Sequence, residues 1–253
     1  RGLNINNYDD LHNWSIKHKN EFWSNVWDFT NFVGEKKGKI FKSAPEFTNN
    51  KFFDECKINY AENCLTRDDD DDAIIFHSEK KIKRNYSWKE LKSAVLKFAN
   101  YLKNNNIEKN DRIAAILPNI PETVISFLST AQLGAIWSSC SSDFGKKAII
   151  DRFKQIEPKV LLFSDYYFYN NKKVDTTKII KDVVYNIPSI EKIILIPYEF
   201  NEKDYQLDFE YDNLYNILQQ EIEYSKFEKF NFNHPLYILY SSGTTGIPKC
   251  IVH

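Results

Sequence analysis

Leu11, Trp14, His18, Phe22 and Val26 recur every three or four positions, the spacing of one helical face, and predict an aromatic-rich leading helix over residues 8–26. Gly34 and Gly38 bracket Glu35, Lys36 and Lys37, which reads as a loop before a mixed segment that ends near Leu65. Residues 68–72 are all aspartate and form an acidic surface turn. Neighbouring carboxylates on one turn point in different directions, so solvation rather than metal coordination is the expectation there.

Beyond this turn the pattern becomes regular. Apolar stretches at 73–76 and 82–86 read as strands, and a helix opens at Ser87. Ser87 and Glu90 have capping-box spacing, and Leu91, Ala94, Val95, Phe98 and Leu102 supply the buried stripe. Residues 112–117 form an apolar strand that Pro118 stops, and the next helix is one that Pro121 opens and Gly134 closes. Further short apolar runs at 135–138, 159–163, 192–196 and 236–240 alternate with helical patterns at 146–156, 177–187 and 214–223. Such alternation implies right-handed crossovers and a mainly parallel sheet with helices on both faces. The fold class is therefore α/β from about Ala73 onward, with the leading helix packed outside. Residues 198–211 are polar and acidic enough to be a surface excursion.

Composition narrows the function classes. The 253 residues carry 34 Lys and Arg against 35 Asp and Glu, a net charge of -1, which provides no broad basic field for nucleic acid or an anionic membrane. With 42% hydrophobic and 15% aromatic residues the chain is expected to fold. Cys56, Cys64, Cys140 and Cys250 show neither a CxxC pair nor zinc-finger spacing to histidine. No disulfide framework or metal site is expected, and a reducing, cytoplasmic location is. No apolar run nears the roughly 18 residues of a membrane span, and RGLNINNYDD has no signal-peptide core. The chain starts with Arg, contains no Met and ends in CIVH like a strand cut short, so both ends are expected to be truncation points. Oligomeric state is left open.

The most informative segment is Tyr240-Ser241-Ser242-Gly243-Thr244-Thr245-Gly246-Ile247-Pro248-Lys249, directly after an apolar run. A polyphosphate needs many donors at short range and little bulk. Gly243 and Gly246 let the backbone turn its N–H groups inward, Ser241, Ser242, Thr244 and Thr245 add hydroxyls, and Lys249 adds a positive charge. A Ser/Thr/Gly hairpin turn with a solvated lysine is the plainer reading. A Walker loop needs Gly-Lys followed by Ser or Thr and then a helix. Here Ile247 and Pro248 separate Gly246 from Lys249, and Cys250-Ile251-Val252 continues as a strand.

SSGTTGIPK resembles the phosphate loop of the adenylate-forming superfamily, which includes acyl-CoA synthetases, luciferases and peptide-synthetase adenylation domains. Within it, LYSSGTTGIPKCIVH at 239–253, WSSCSSDFG at 137–145, DRFKQIEPKVL at 151–161 and NYAENCL at 59–65 are similar to the acetoacetyl-CoA synthetase branch. Acetyl-CoA synthetases share the leading segment, the NYAEN-like stretch and the loop but typically lack the WSSCS run. The resemblance spans essentially the whole chain. It implies a helical extension over 1–66 and an incomplete adenylation domain over 67–253. Members often carry Pro at the position of Ser142 and a small residue at that of Cys250. The family's adenine and ribose contacts, its hinge and the lysine of its mobile C-terminal domain lie downstream of the loop.

The resemblance further implies that a carboxylate attacks the α-phosphate of Mg-ATP to give an acyl-adenylate and pyrophosphate, after which the thiol of CoA displaces AMP. Acetoacetate is the acid implied, within lipid and ketone-body metabolism. The loop residues would grip the β and γ phosphates, and Lys249 would neutralise the departing pyrophosphate. Lys172 and Lys173, placed in a polar turn after the strand at 159–163, would meet the phosphates of CoA, although a solvated lysine pair is the common alternative. Trp137 would line the acyl pocket, unless it is simply a core residue. Cys140 reads as a small buried hydrophobe and Asp143 as a helix cap, and His77, His234 and His253 receive no role. Two alternatives stand beside the acetoacetate ligase: the same chemistry on acetate, propionate or a longer acid, and a nucleotide-binding fragment without turnover.

Overall fold

The computed structural model describes residues 5–221, 226–241 and 246–253. The chain divides into two compact units, Arg1–Asn63 with Glu228–His234, and Cys64–Phe227 with Pro235–His253.

In the first unit the leading segment is two helices, α1 (Tyr8–Lys17) and α2 (Lys19–Phe29), instead of the single one expected. Asn7 caps α1 by accepting the Asp10 N–H at 2.9 Å, and the helix ends where His18 leaves helical backbone at φ -116°, ψ 52°. Periodicity hides the break because Trp14 stacks on His18 and meets Phe22 edge-on, so the aromatic stripe continues across the bend. Gly34 belongs to a strand, not a loop: Gly34–Glu35 pairs antiparallel with Lys57–Ile58, whose other side pairs with Phe230–Asn231. A Cβ at Gly34 would lie 2.7 Å from the Lys57 carbonyl and 3.0 Å from the Trp27 ring, so only glycine permits this approach. Trp27, Ile40, Phe53 and Cys56 form the core, with Phe232 packed against it. The Asn59 amide donates to the Glu228 carbonyl at 2.8 Å, and Lys229 is ion-paired with Glu62.

The second unit opens with β1 (Asp72–His77) and β2 (Lys83–Ser87), which pair antiparallel with each other and stand outside the main sheet. The parallel arrangement expected from Ala73 onward fails here for a geometric reason. The few residues between them suffice for a hairpin, whereas a parallel crossover needs about a dozen or more. The acidic turn before β1 is matched by cations, with Arg67 on Asp69 and Asp71 and Lys92 on Asp68. Helix α3 (Trp88–Asn104) follows with its capping box formed: Ser87 Oγ accepts the Glu90 N–H at 3.2 Å and the Glu90 carboxylate accepts the Ser87 N–H at 2.8 Å.

The expected alternation then appears. Strands β3 (Arg112–Ile116), β4 (Ile136–Cys140) and β5 (Val160–Ser164) are separated by α4 (Pro121–Gln132) and α5 (Lys146–Phe153). A hairpin of β6 (Tyr166–Tyr169) and β7 (Lys172–Asp175) precedes α6 (Thr177–Asn186), β8 (Lys192–Ile196), β9 (Asp212–Asn213) and α7 (Leu214–Gln219). The five-stranded sheet has the order β9-β8-β5-β3-β4, every pair parallel. Ile149 and Phe153 of α5 and Ile180 and Val183 of α6 pack with Ala114, Ile116, Leu161, Phe163 and Leu195. Ile113, Ala115, Leu162 and Ile194, which alternate with these along the strands, are fully buried too, as a sheet covered on both faces requires. The chain ends in β10 (Ile238–Ser241) and β11 (Lys249–Val252), an antiparallel hairpin beside β4.

Two other expectations are corrected. Gly145 is the N-cap residue of α5 and no side chain caps it, so Asp143 does not serve as the cap. Residues 198–211 are largely exposed, as expected, but they do not stand clear of the sheet: Tyr198 is buried, the half-buried Tyr205 and Phe209 pack on the core, and the Tyr205 hydroxyl donates to the buried Asp165 carboxylate at 2.5 Å. Among the described residues no helix is long and apolar enough to cross a membrane.

Glu122 on α4 is 0% exposed and accepts both arms of the Arg84 guanidinium, at 2.7 and 3.0 Å, and the Tyr86 hydroxyl at 2.9 Å. Burial pushes its pKa up and the Arg84 charge opposes that. Removing one member of such a pair strands the other. Glu122→Ala is expected to cost about 3 to 5 kcal/mol, read as a lower midpoint in urea denaturation, and adding Arg84→Met should recover part of the loss.

Candidate functional site

The segment expected to hold phosphate is framed by β10 and β11. Their register pairs Tyr240 with Cys250 and Ser241 with Lys249, so the last rung places the first hydroxyl and the lysine on opposite limbs at the mouth of the loop. Gly246 has φ +107°, a conformation open to glycine, and a Cβ there would meet nothing within 4 Å; the backbone, not crowding, demands the residue. Ile247 is 64% exposed, and Lys249 is exposed with its whole strand. Ser242, Gly243, Thr244 and Thr245 lie outside the described residues. A strand follows the loop where a Walker loop would have a helix.

The hairpin rests on β4 and α5. The Trp137 N–H donates to the Leu236 carbonyl at 3.1 Å, and Ser138 Oγ, fully buried, lies 3.0 Å from both the Ile238 carbonyl and the Tyr240 hydroxyl. The Arg152 guanidinium lies over the rings of Phe144, at 4.8 Å, and Tyr240, at 5.7 Å. Gln155 Nε2 donates to the Pro248 carbonyl at 3.0 Å, and Gln155 Oε1 accepts the Cys250 thiol at 3.7 Å. Sequence reasoning assigned nothing to Ser138, Arg152 or Gln155. The signal for the last two was the DRFKQ run, in which Arg152, at the end of α5, and Gln155, in the turn after it, stand three apart.

Trp137 is 7% exposed and meets Phe127 edge-on at 6.1 Å, in an aromatic group with Tyr237. Cys140 is buried, and burial pushes its thiol up to about 12, which leaves it protonated and unreactive near neutral pH. Lys172 and Lys173 occupy β7 and not a polar turn: they pair with Tyr169 and Phe168 across the hairpin, whose tip is Asn170 and Asn171 at φ 48° and 61°. Two asparagines that tolerate left-handed backbone close such a hairpin, a signal that the charge pattern of KK obscured. Lys173 Nζ lies 3.6 Å over the Tyr166 ring, and both lysines are exposed. The structure places this pair on a separate hairpin from β10–β11, so the described residues form no single cluster of the expected site. Among them, no group of three or more His, Cys, Asp or Glu is placed to hold a metal ion.

Comparison with known proteins bears on the same segments. Acetoacetyl-coenzyme A synthetase of Rhizobium meliloti (strain 1021) is 36% identical to this chain, matching 100% of it and 39% of the relative. Acetoacetyl-CoA synthetase of Xenopus tropicalis is 35% identical with the same coverage, and malonamoyl-CoA synthetase of Penicillium aethiopicum is 30% identical over 100% of the chain and 37% of the relative. The solved acetoacetyl-CoA synthetase from Streptomyces lividans superposes with a TM-score of 0.89 at 31% identity, covering 99% of this chain and 38% of that one. The chain thus spans about two fifths of the length of these relatives. The family model for AMP-binding enzymes matches residues 61–253, the whole α/β unit and the β10–β11 hairpin with it, and the chain belongs to that family.

Proposed function

We propose that this chain is the front part of an acid-thiol ligase that forms acetoacetyl-CoA from acetoacetate, ATP and CoA through an acyl-adenylate. The observation that carries the reading is the rung Ser241–Lys249, which holds a hydroxyl and an ammonium across the mouth of a glycine-bearing loop. The names of the relatives favour acetoacetate over acetate or propionate. Malonamoyl-CoA synthetase among them keeps other short acids with a second carbonyl as the second reading.

Ser241, Ser242, Gly243, Thr244, Thr245 and Gly246 grip the β and γ phosphates, and Lys249 offsets the charge that grows as pyrophosphate departs. Magnesium enters on ATP, as part of the substrate. Trp137 contributes an apolar wall for the acyl group, and Lys172 and Lys173 meet phosphates of CoA from their exposed strand. A cytoplasmic location fits a ligase of soluble metabolites.

Lys249→Ala in the full-length polypeptide is expected to slow adenylate formation by about 2 to 4 kcal/mol, measured as ATP–pyrophosphate exchange. Thioester formation from preformed acyl-adenylate contains no pyrophosphate and should be far less affected. Equal slowing of both steps, or none in the first, would mean the loop is a surface turn. Among short acids, ATP-dependent consumption of CoA should be greatest with acetoacetate; a clear preference for acetate would transfer the assignment to that acid.

A further inference from the structure

We infer that Gln155, with Arg152 one helical turn before it, is the positioning residue for Lys249: it fixes the limb of the hairpin that carries this lysine, and the face on which the lysine stands. The inference rests on the phosphate-cradle reading of the loop.

Gln155 grips the two residues that flank Lys249. Its amide nitrogen donates to the carbonyls of Pro248, at 3.0 Å, and Asp151, at 2.7 Å, while its oxygen accepts the Cys250 thiol at 3.7 Å. Both amide protons are thereby used, and a flip of the amide would set its oxygen against both carbonyls. Side chains alternate across a strand, so turning the Cys250 thiol toward Gln155 turns Lys249 to the opposite face. Arg152 acts on the other limb of the same rung: its guanidinium lies over Tyr240, the register partner of Cys250. The end of α5, with Arg152, and the turn that follows it, with Gln155, therefore hold both strands one rung below the Ser241–Lys249 pair.

That segment is a stiff support. Ile149 and Phe153 are 0% exposed in the core, and the turn after them is tied to the interior strand β3 by Arg112, whose Nε donates to the Ile156 carbonyl at 2.6 Å and Nη2 to the Glu157 carbonyl at 2.8 Å. A connected path runs from the start of β3 through Arg112, the 156–157 turn and Gln155 to the backbone on either side of Lys249. Gln155 itself is exposed, so its loss should alter the placement of the hairpin with little effect on folding.

The test is a double-mutant cycle in the full-length polypeptide, reading ATP–pyrophosphate exchange. Gln155→Met keeps the length of the side chain and deletes its hydrogen bonds. It is expected to lower kcat/KM for ATP by about fivefold to tenfold, to leave thioester formation from preformed acyl-adenylate unchanged, and to leave the melting temperature within about a degree. Gln155→Glu, which retains the acceptor for Cys250 but has no proton for Pro248, should behave like Gln155→Met. In a Lys249→Ala background, Gln155→Met should have no further effect on exchange, because the group it positions is gone. An equal effect in both backgrounds, no effect with Lys249 present, or parallel loss of both half-reactions with a lowered melting temperature would overturn the inference. If Lys249→Ala alone leaves exchange unchanged, the cradle reading falls, and the positioning role with it.

Discussion

A carboxylate taken out of water has to be matched where it lies, and the match at Glu122 decides where the parts of the α/β unit outside its sheet are placed. Arg84 and Tyr86 bring β2 to α4, and the guanidinium reaches on to the Tyr198 carbonyl at 3.3 Å and lies over the rings of Phe76 and Phe200. Three stretches far apart in sequence therefore converge on one charge. Apolar burial alone would let the hairpin slide over the helix, since it is non-directional. A two-armed ion pair at 0% exposure does not slide.

The same division of labour explains what could be read from the amino-acid sequence. Strand β8 has the bounds that its apolar run predicts, α3 opens at its capping box, and α4 at Pro121, because those signals are local and the burial is two-sided. What failed was decided by contacts between distant residues. His18 interrupts the leading helix without disturbing its stripe, and residues 198–211 look like surface until Asp165, buried at the end of β5, draws the hydroxyl of Tyr205 inward. Neither pattern of hydropathy contains the partner that overrides it.

The candidate site divides along the same line. Its chemistry is written in one short run, so Ser241, Gly246 and Lys249 are legible as residue types suited to phosphate. Its support is not: Ser138, Arg152 and Gln155 come from another strand, a helix and the turn after it, and their purpose shows only when β10 and β11 lie against them. Lys172 and Lys173 illustrate the converse. Their charge was legible, but the turn that sets their strand lies in the two asparagines before them.

The first unit has a further property that follows from its connectivity. Lys57–Ile58 is the central strand of its three-stranded sheet, and one of its two neighbours, Phe230–Asn231, is encoded after the whole five-stranded sheet. Phe232 joins the aromatic core from the same late segment. On the ribosome, the beginning of the chain therefore has to wait. Vectorial synthesis usually lets the amino-terminal unit fold first. Here the later α/β unit can pair all of its parallel strands while the earlier unit still has an open strand edge and an incomplete aromatic core.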